Sequence, residues 1–356
     1  MKLSGNLHIV LIGGILLIAT GATLFLVMRS DIQPEGESVN FSEVKLSGID
    51  VRFLGWVVEY NQYSASDFED HVEAFTWVSP TGMFVDEGMR LQGAPAEGVS
   101  QTARQRGVLV LPLVANRNFD AQIAHRILTD EAARGSVISQ LVAFVEQGGY
   151  DGINIDFEGV PESDRNALTE FMRMLASVLR PKGKLVTIDV PAKTYDATTG
   201  WAGAFDYRAL GEACDLVIIM AYDYHWSGGS PGPISPLGWF EDVVKYAVET
   251  IPRDRLMIGI PFYGYDWPAG GGGGRGVSFG QALQTAAETR SVVSFDNTSG
   301  EYTFAYMSGG RREVWFQGAK STELRLQIVR KHGLTQVAAW CIGQEDPRTW
   351  EVIRKG

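Results

Sequence analysis

The chain has 356 residues, with Lys+Arg 31 against Asp+Glu 42, a formal net charge of −11, 45% hydrophobic and 21% charged residues. That balance excludes a disordered chain, and its acidity argues against sequence-independent nucleic-acid binding, which needs a basic surface. Two cysteines cannot staple a disulfide scaffold, and His8, His71, His125, His225 and His332 show no metal-ligand spacing, so no metal or other cofactor is expected.

Residues 1–8 are short and polar. Ile9 to Met28 carries no charge, and a helix of that length spans roughly 30 Å of hydrocarbon. Lys2 precedes it, while Arg29 is followed by Asp31, Glu35 and Glu37. The asymmetry favours a cytoplasmic N-terminus and an external C-terminus. The expectation is a single-pass anchor in the cell membrane over 9–28. A cleaved signal peptide is the rival, although its apolar region usually runs about 7–15 residues.

Residues 29–48 are polar and acidic without period and read as a tether. From 49 to 356, apolar runs of strand length alternate with amphipathic stretches. The runs are VRFLGWVV, AFTWVSP, GVLVLPLVAN, GINIDFE, KLVTIDVPA, CDLVIIMAY, RLMIGIPFYG and TQVAAWCIG. Among the stretches between them, DRNALTEFMRMLASVLRPKG has helical spacing and ends at Pro181 and Gly183. Continuous apolar strands, each followed by a helix, indicate a parallel sheet buried on both faces. Eight such units predict an α/β fold, a (β/α)8 TIM barrel. An open doubly wound sheet is the runner-up, but no Gly-x-Gly-x-x-Gly follows the first run.

Residues 268–331 break the alternation and read as a small α+β insertion between strands seven and eight. It opens on a glycine run, Gly270–Gly274, expected as a mobile loop, continues through short β-like pieces, and turns helical from Thr322.

The chemistry concentrates in Tyr150-Asp-Gly-Ile-Asn-Ile-Asp-Phe-Glu158. Alternate residues of a strand face opposite sides. Ile153, Ile155 and Phe157 would point to the helix layer, and Asn154, Asp156 and Glu158 into the barrel. Unpartnered buried charge is expensive. A row of carboxylates ending at the C-terminal mouth, where active sites of this fold lie, favours catalysis over a buried polar ladder.

The segment resembles the Asp-Gly-x-Asp-x-Asp-x-Glu signature of glycoside hydrolase family 18, the chitinase-like (β/α)8 enzymes. Met220-Ala-Tyr-Asp223 matches the family's Met-x-Tyr-Asp, and Trp340 stands where the family keeps a tryptophan. Tyr222 to Leu237, then Gly259 to Trp267, look like the bacterial subgroup that includes spore-cortex-lytic, peptidoglycan-directed glucosaminidases. The resemblance implies a glycosidase acting on β-linked N-acetylglucosamine polymers by substrate-assisted retention, an exception to the two-carboxylate scheme. In it Glu158 is general acid and then base, Asp156 holds the acetamido N–H, and Tyr222 holds the acetamido oxygen. Trp340 forms the sugar floor. Asn154, Asp223, Trp77 and Asn116 join it as substrate-binding candidates. The implied partner is an N-acetylglucosamine-containing polysaccharide, bound by a monomer.

One position departs from the signature. Asn154 replaces the middle aspartate, and an amide can only hydrogen-bond, with Asp156 as its expected partner. A non-catalytic, chitinase-like glycan-binding protein is the alternative function. Loss of the terminal glutamate would betray it, and Glu158 is present.

Overall fold

The computed structural model describes residues 39–41 and 44–356. The apolar run 9–28 lies outside them. Among the described residues no helix is long and apolar enough to cross a membrane.

Eight parallel strands organise the fold: β1 (Ile49–Val57), β2 (Trp77–Pro80), β3 in two pieces (Leu109–Val110 and Leu113–Asn116), β4 (Gly152–Asp156), β5 (Leu185–Pro191), β6 (Leu216–Met220), β7 (Leu256–Pro261) and β8 (Gln336–Trp340). Each pairs with its sequence neighbour, and β8 pairs with β1, Arg52 opposite Gln336. The sheet is therefore curled and TIM-barrel-like. Pro112 divides β3, because proline has no N–H for the ladder. The first piece pairs with β2 and the second with β4. Beyond Gly82, Met83–Val85 takes up pairing with the second piece. Gly82 has φ +108°, and a Cβ there would lie 2.7 Å from the Ala94 carbonyl oxygen, so the bend needs glycine.

Period two decides which side chains go where. Ile153, Ile155 and Phe157 pack outward in the large core between sheet and helices, with Leu168, Phe171 and Leu175 of the helix Arg165–Leu179. Inside the sheet lies a smaller core built on Leu54, Trp56, Trp77, Leu113, Ile218 and Met257. That inner core fills the lower half of the curl. The upper half is polar, and this is where the site sits.

The insertion differs from its expected limits. Its antiparallel sheet begins at Tyr263, inside the run assigned to strand seven, and comprises Tyr263–Pro268, Arg275–Ser278, Ser294–Asp296, Glu301–Met307 and Arg311–Phe316. A capping box at Ser278 and Gln281 starts its helix, Phe279–Thr289. The helix Ala319–Lys331, by contrast, packs on the barrel, beside β1, β7 and the helix Leu237–Thr250. The glycine run is a docked turn. Gly272 and Gly274 donate backbone N–H groups to Gly229 and Ser227 at 2.7 and 2.8 Å, so backbone hydrogen bonds hold it against the loop after β6.

The end of the expected tether is likewise placed. Val39 N–H donates to Val293 at 3.0 Å, the Phe41 ring lies 5.4 Å from Phe279 and 4.9 Å from Tyr302, and Arg348 donates to the Val44 carbonyl at 2.6 Å. An aromatic side chain inside a polar stretch supplies the reason: it completes the core of the insertion.

Cys214, just before β6, and Cys341, just after β8, are both free and buried. They stand at opposite ends of parallel strands, too far apart for a bond that needs Cα atoms within about 7 Å. Burial pushes the Cys341 thiol up to about 12. Thiol titration of the protein denatured without reductant should therefore count both cysteines as free; an intramolecular bridge would refute this strand register.

Candidate active site

The strand ends surround a cleft of about 840 Å³, within the range of ligand sites. Asp156 and Glu158 from β4, Asp189 from β5, Tyr222 and Asp223 after β6, and Trp340 from β8 line it, with Trp56 below and Tyr263 and Tyr265 from the insertion. Trp56 and Trp340 meet edge-on, ring centroids 5.7 Å apart. The predicted Glu158, Asp156, Tyr222, Asp223 and Trp340 thus converge on one cavity.

Glu158 owes its position to Asn116. The Asn116 amide donates to the Glu158 carbonyl at 3.0 Å and its oxygen accepts the Glu158 N–H at 2.9 Å. Asn116 is fully buried and does not line the cleft. It holds the backbone of residue 158 from beneath instead of facing the cleft. Burial raises the Glu158 carboxyl to about 7, with the Asp223 charge adding to the shift. It therefore keeps its proton to much higher pH than an ordinary glutamate, the property that general-acid chemistry needs.

Asp156 is buried, and its Oδ1 has no hydrogen-bond partner among the described residues. Burial, then the charges of Asp189 and Glu158, hold its carboxyl well above the ordinary range. Asp189 is raised likewise, first by burial. Tyr222 is pushed up by burial and by the surrounding carboxylates, so its hydroxyl remains a donor at any working pH. Space for its ring comes from Gly259 on β7, where a Cβ would lie 3.4 Å from Tyr222 Cε1 and 2.8 Å from the Ile219 carbonyl oxygen. Asp223 sits at φ 59° in the left-handed region, which aspartate tolerates better than most residues. It accepts the hydroxyls of Tyr263 and Tyr265, the latter at 3.1 Å.

Two further expectations are corrected. Trp77 is buried in the inner core with the Arg52 guanidinium 4.3 Å from its ring centroid, away from the cleft. Asn154 is fully buried beneath the cleft, and its amide donates to Asp189 Oδ1 at 2.9 Å rather than to Asp156. Its oxygen accepts from Trp56 Nε1 at 3.0 Å and Ser79 Oγ at 3.1 Å. Asp189 and the two insertion tyrosines are site residues that the sequence reading missed. The signal for Asp189 was a lone carboxylate in an otherwise apolar strand, KLVTIDVPA. The tyrosines stand inside the Gly259–Trp267 motif, but nothing within that segment ties their hydroxyls to Asp223.

The model of the glycosyl hydrolases family 18 matches residues 55–345. The cortical fragment-lytic enzyme of Bacillus subtilis (strain 168) is 28% identical over 306 residues, 82% of this chain and 71% of that protein. Among solved structures, the spore cortex-lytic enzyme SleL of Bacillus cereus superposes with a TM-score of 0.78 at 26% identity, covering 86% of this chain and 74% of that one. A chitinase from Chromobacterium violaceum also gives 0.78, at 29% identity over 84% and 96% of the two chains. With the carboxylate row at the mouth of a TIM-barrel-like fold and a family match across nearly all of it, the chain belongs to glycosyl hydrolase family 18.

Proposed function

We propose that the chain hydrolyses β-linked N-acetylglucosamine polymers with retention, using the substrate's own acetamido group as nucleophile. The observation that carries this reading is the unpartnered, buried Oδ1 of Asp156 in a cleft that also holds Glu158 and Tyr222. A buried acceptor without a donor is costly, and an acetamido N–H is the donor this mechanism would supply. Glu158 gives its proton to the glycosidic oxygen while the acetamido carbonyl oxygen attacks the anomeric carbon and expels the leaving sugar. The Tyr222 hydroxyl holds that oxygen in line. Ionised Asp156 stabilises the oxazolinium formed. Glu158, now a carboxylate, takes a proton from the water that opens the ring. Among the described residues the lining includes four carboxylates and no lysine, arginine or histidine, which favours a polymer without free carboxylates. The relatives' names put both spore cortex and chitin in range. Further, we read residues 9–28 as an anchor that holds a monomeric enzyme against envelope glycan outside the cell membrane.

Mass spectrometry of products tests the reading. Chitin oligomers should be cleaved with the β-anomer released first, and a thiazoline analogue of N-acetylglucosamine should inhibit. Efficient cleavage of fully deacetylated chains at the same site would refute substrate assistance.

A pH profile follows from Glu158. Its raised value makes the acid form available below about 7, so kcat/KM should fall about tenfold per unit above that. Asp223→Asn removes the second cause of the shift and should move this limb to lower pH. It should stay above the ordinary glutamate range, because burial is the larger cause. A limb that moves upward would contradict the assignment.

A further inference from the structure

Asn154 has its orientation forced. The Trp56 indole can only donate, so the atom it meets at 3.0 Å is the amide oxygen, and the opposite NH2 must face Asp189, 2.9 Å away. Register then places the carboxylates. Asn154 is opposite Thr187 and Ile155 opposite Ile188; one step on, Asp156 and Asp189 stand abreast on strands about 4.8 Å apart. Both are buried, and both line the cleft.

We propose that Asp189 is a positioning residue of the catalytic centre: from the fifth strand it supplies, through the Asn154 amide, the carboxylate beside Asp156 that the family signature carries at residue 154. This rests on the hydrolytic reading above and deepens it. Among the described residues the groups facing Asp189 are Asn154, Asp156 and Glu158 from β4, Trp56 from β1, and Tyr222 after β6; none of these is a cation. Lys193, farther along the same chain segment, is committed to the Ala197 and Phe205 carbonyls at 2.8 and 2.6 Å. Two neighbouring carboxyls without a cation retain one proton between them and titrate as a pair. In the free protein the Asn154 amide favours the charge on Asp189 and leaves the shared proton on Asp156, whose Oδ1 has no donor among the described residues. An acetamido N–H arriving at Asp156 reverses that preference, moves the proton to Asp189 and puts the negative charge where the oxazolinium needs it. The amide at 154 fixes the orientation of Asp189 without adding a third ionisable group.

Asp189→Asn tests this, since it preserves the shape and an acceptor for Asn154 while removing the carboxylate. In protein carrying 13C-labelled aspartate, followed by NMR on the full chain, Asp156 should then titrate about one unit or more lower. The acid limb of kcat/KM on chitin oligomers should fall with it, with KM changed by less than about twofold. Asn154→Asp/Asp189→Asn moves the carboxylate back across the same hydrogen bond and should restore both to the parent values. Asn154→Asp alone crowds three carboxylates and should move Asp156 upward; it carries the test if Asp189→Asn fails to fold. An Asp156 titration unmoved by either single substitution, or a double variant no nearer the parent than Asp189→Asn, overturns the proposal. Because the NMR titration needs no turnover, it decides the role of Asp189 even if the parent leaves chitin oligomers intact, a result that would count against the hydrolytic reading alone.

Discussion

Glu158→Gln should fold like the parent, bind chitin oligomers, and lose most of its turnover. Glutamine has nearly the same shape, and the Asn116 clamp acts on the backbone of residue 158, so the substitution leaves both anchoring hydrogen bonds in place. What disappears is a proton that burial holds available near neutrality. General acid–base catalysis is worth about 10²–10⁴-fold, and kcat should drop by that order. Binding, read by calorimetry with an oligomer, should persist, because the Trp340 floor and Asp156 are untouched. Activity within a few-fold of the parent would remove Glu158 from the chemistry. Unchanged binding by a parent that never turned over would instead favour a glycan-binding protein.

The largest stability effect should come from Arg325→Leu. Arg325 and Glu301 are both fully buried, paired at 2.9 Å, and join the barrel helix Ala319–Lys331 to the insertion sheet. Burial raises the Glu301 carboxyl and lowers the Arg325 guanidinium to about 10, so desolvation outweighs their attraction in both partners. Such a pair adds little net stability, yet removing one member strands the other's charge, at a cost of about 3–5 kcal/mol. Arg325 also donates to the Ser235 carbonyl and to the Gly300 carbonyl at 3.3 Å, while Glu301 accepts the N–H groups of Ile234 and Ser235 at 2.8 and 2.6 Å. Ser235 Oγ in turn donates to the Ala221 carbonyl at 2.7 Å, next to Tyr222. Urea unfolding should show the loss, and the surviving folded fraction should bind oligomers less tightly because the Tyr222–Asp223 corner is released. A loss below about 1 kcal/mol would mean that water reaches the pair.

The sequence by itself determined the strand runs, the inward face of β4 and the family. Each of these depends on a pattern within one short segment: Ile153, Ile155 and Phe157 alternate with Asn154, Asp156 and Glu158, and a period of two assigns them to opposite faces wherever the strand lies. Only the tertiary structure decided how high on the curl each inward residue stands. Trp77 and Asn116 occupy strand runs as promising as that of Glu158, but one lies in the filled lower half and the other beneath the backbone it holds. Height depends on the stagger between neighbouring strands, which no single segment encodes. The same holds for Asp189, whose meaning comes from standing abreast of Asp156, and for Tyr263 and Tyr265, whose hydroxyls reach Asp223 across 40 and 42 residues of chain. Hydrogen bonds act over about 3 Å, so partners this distant in sequence become partners only when the sheet has curled and the insertion has docked.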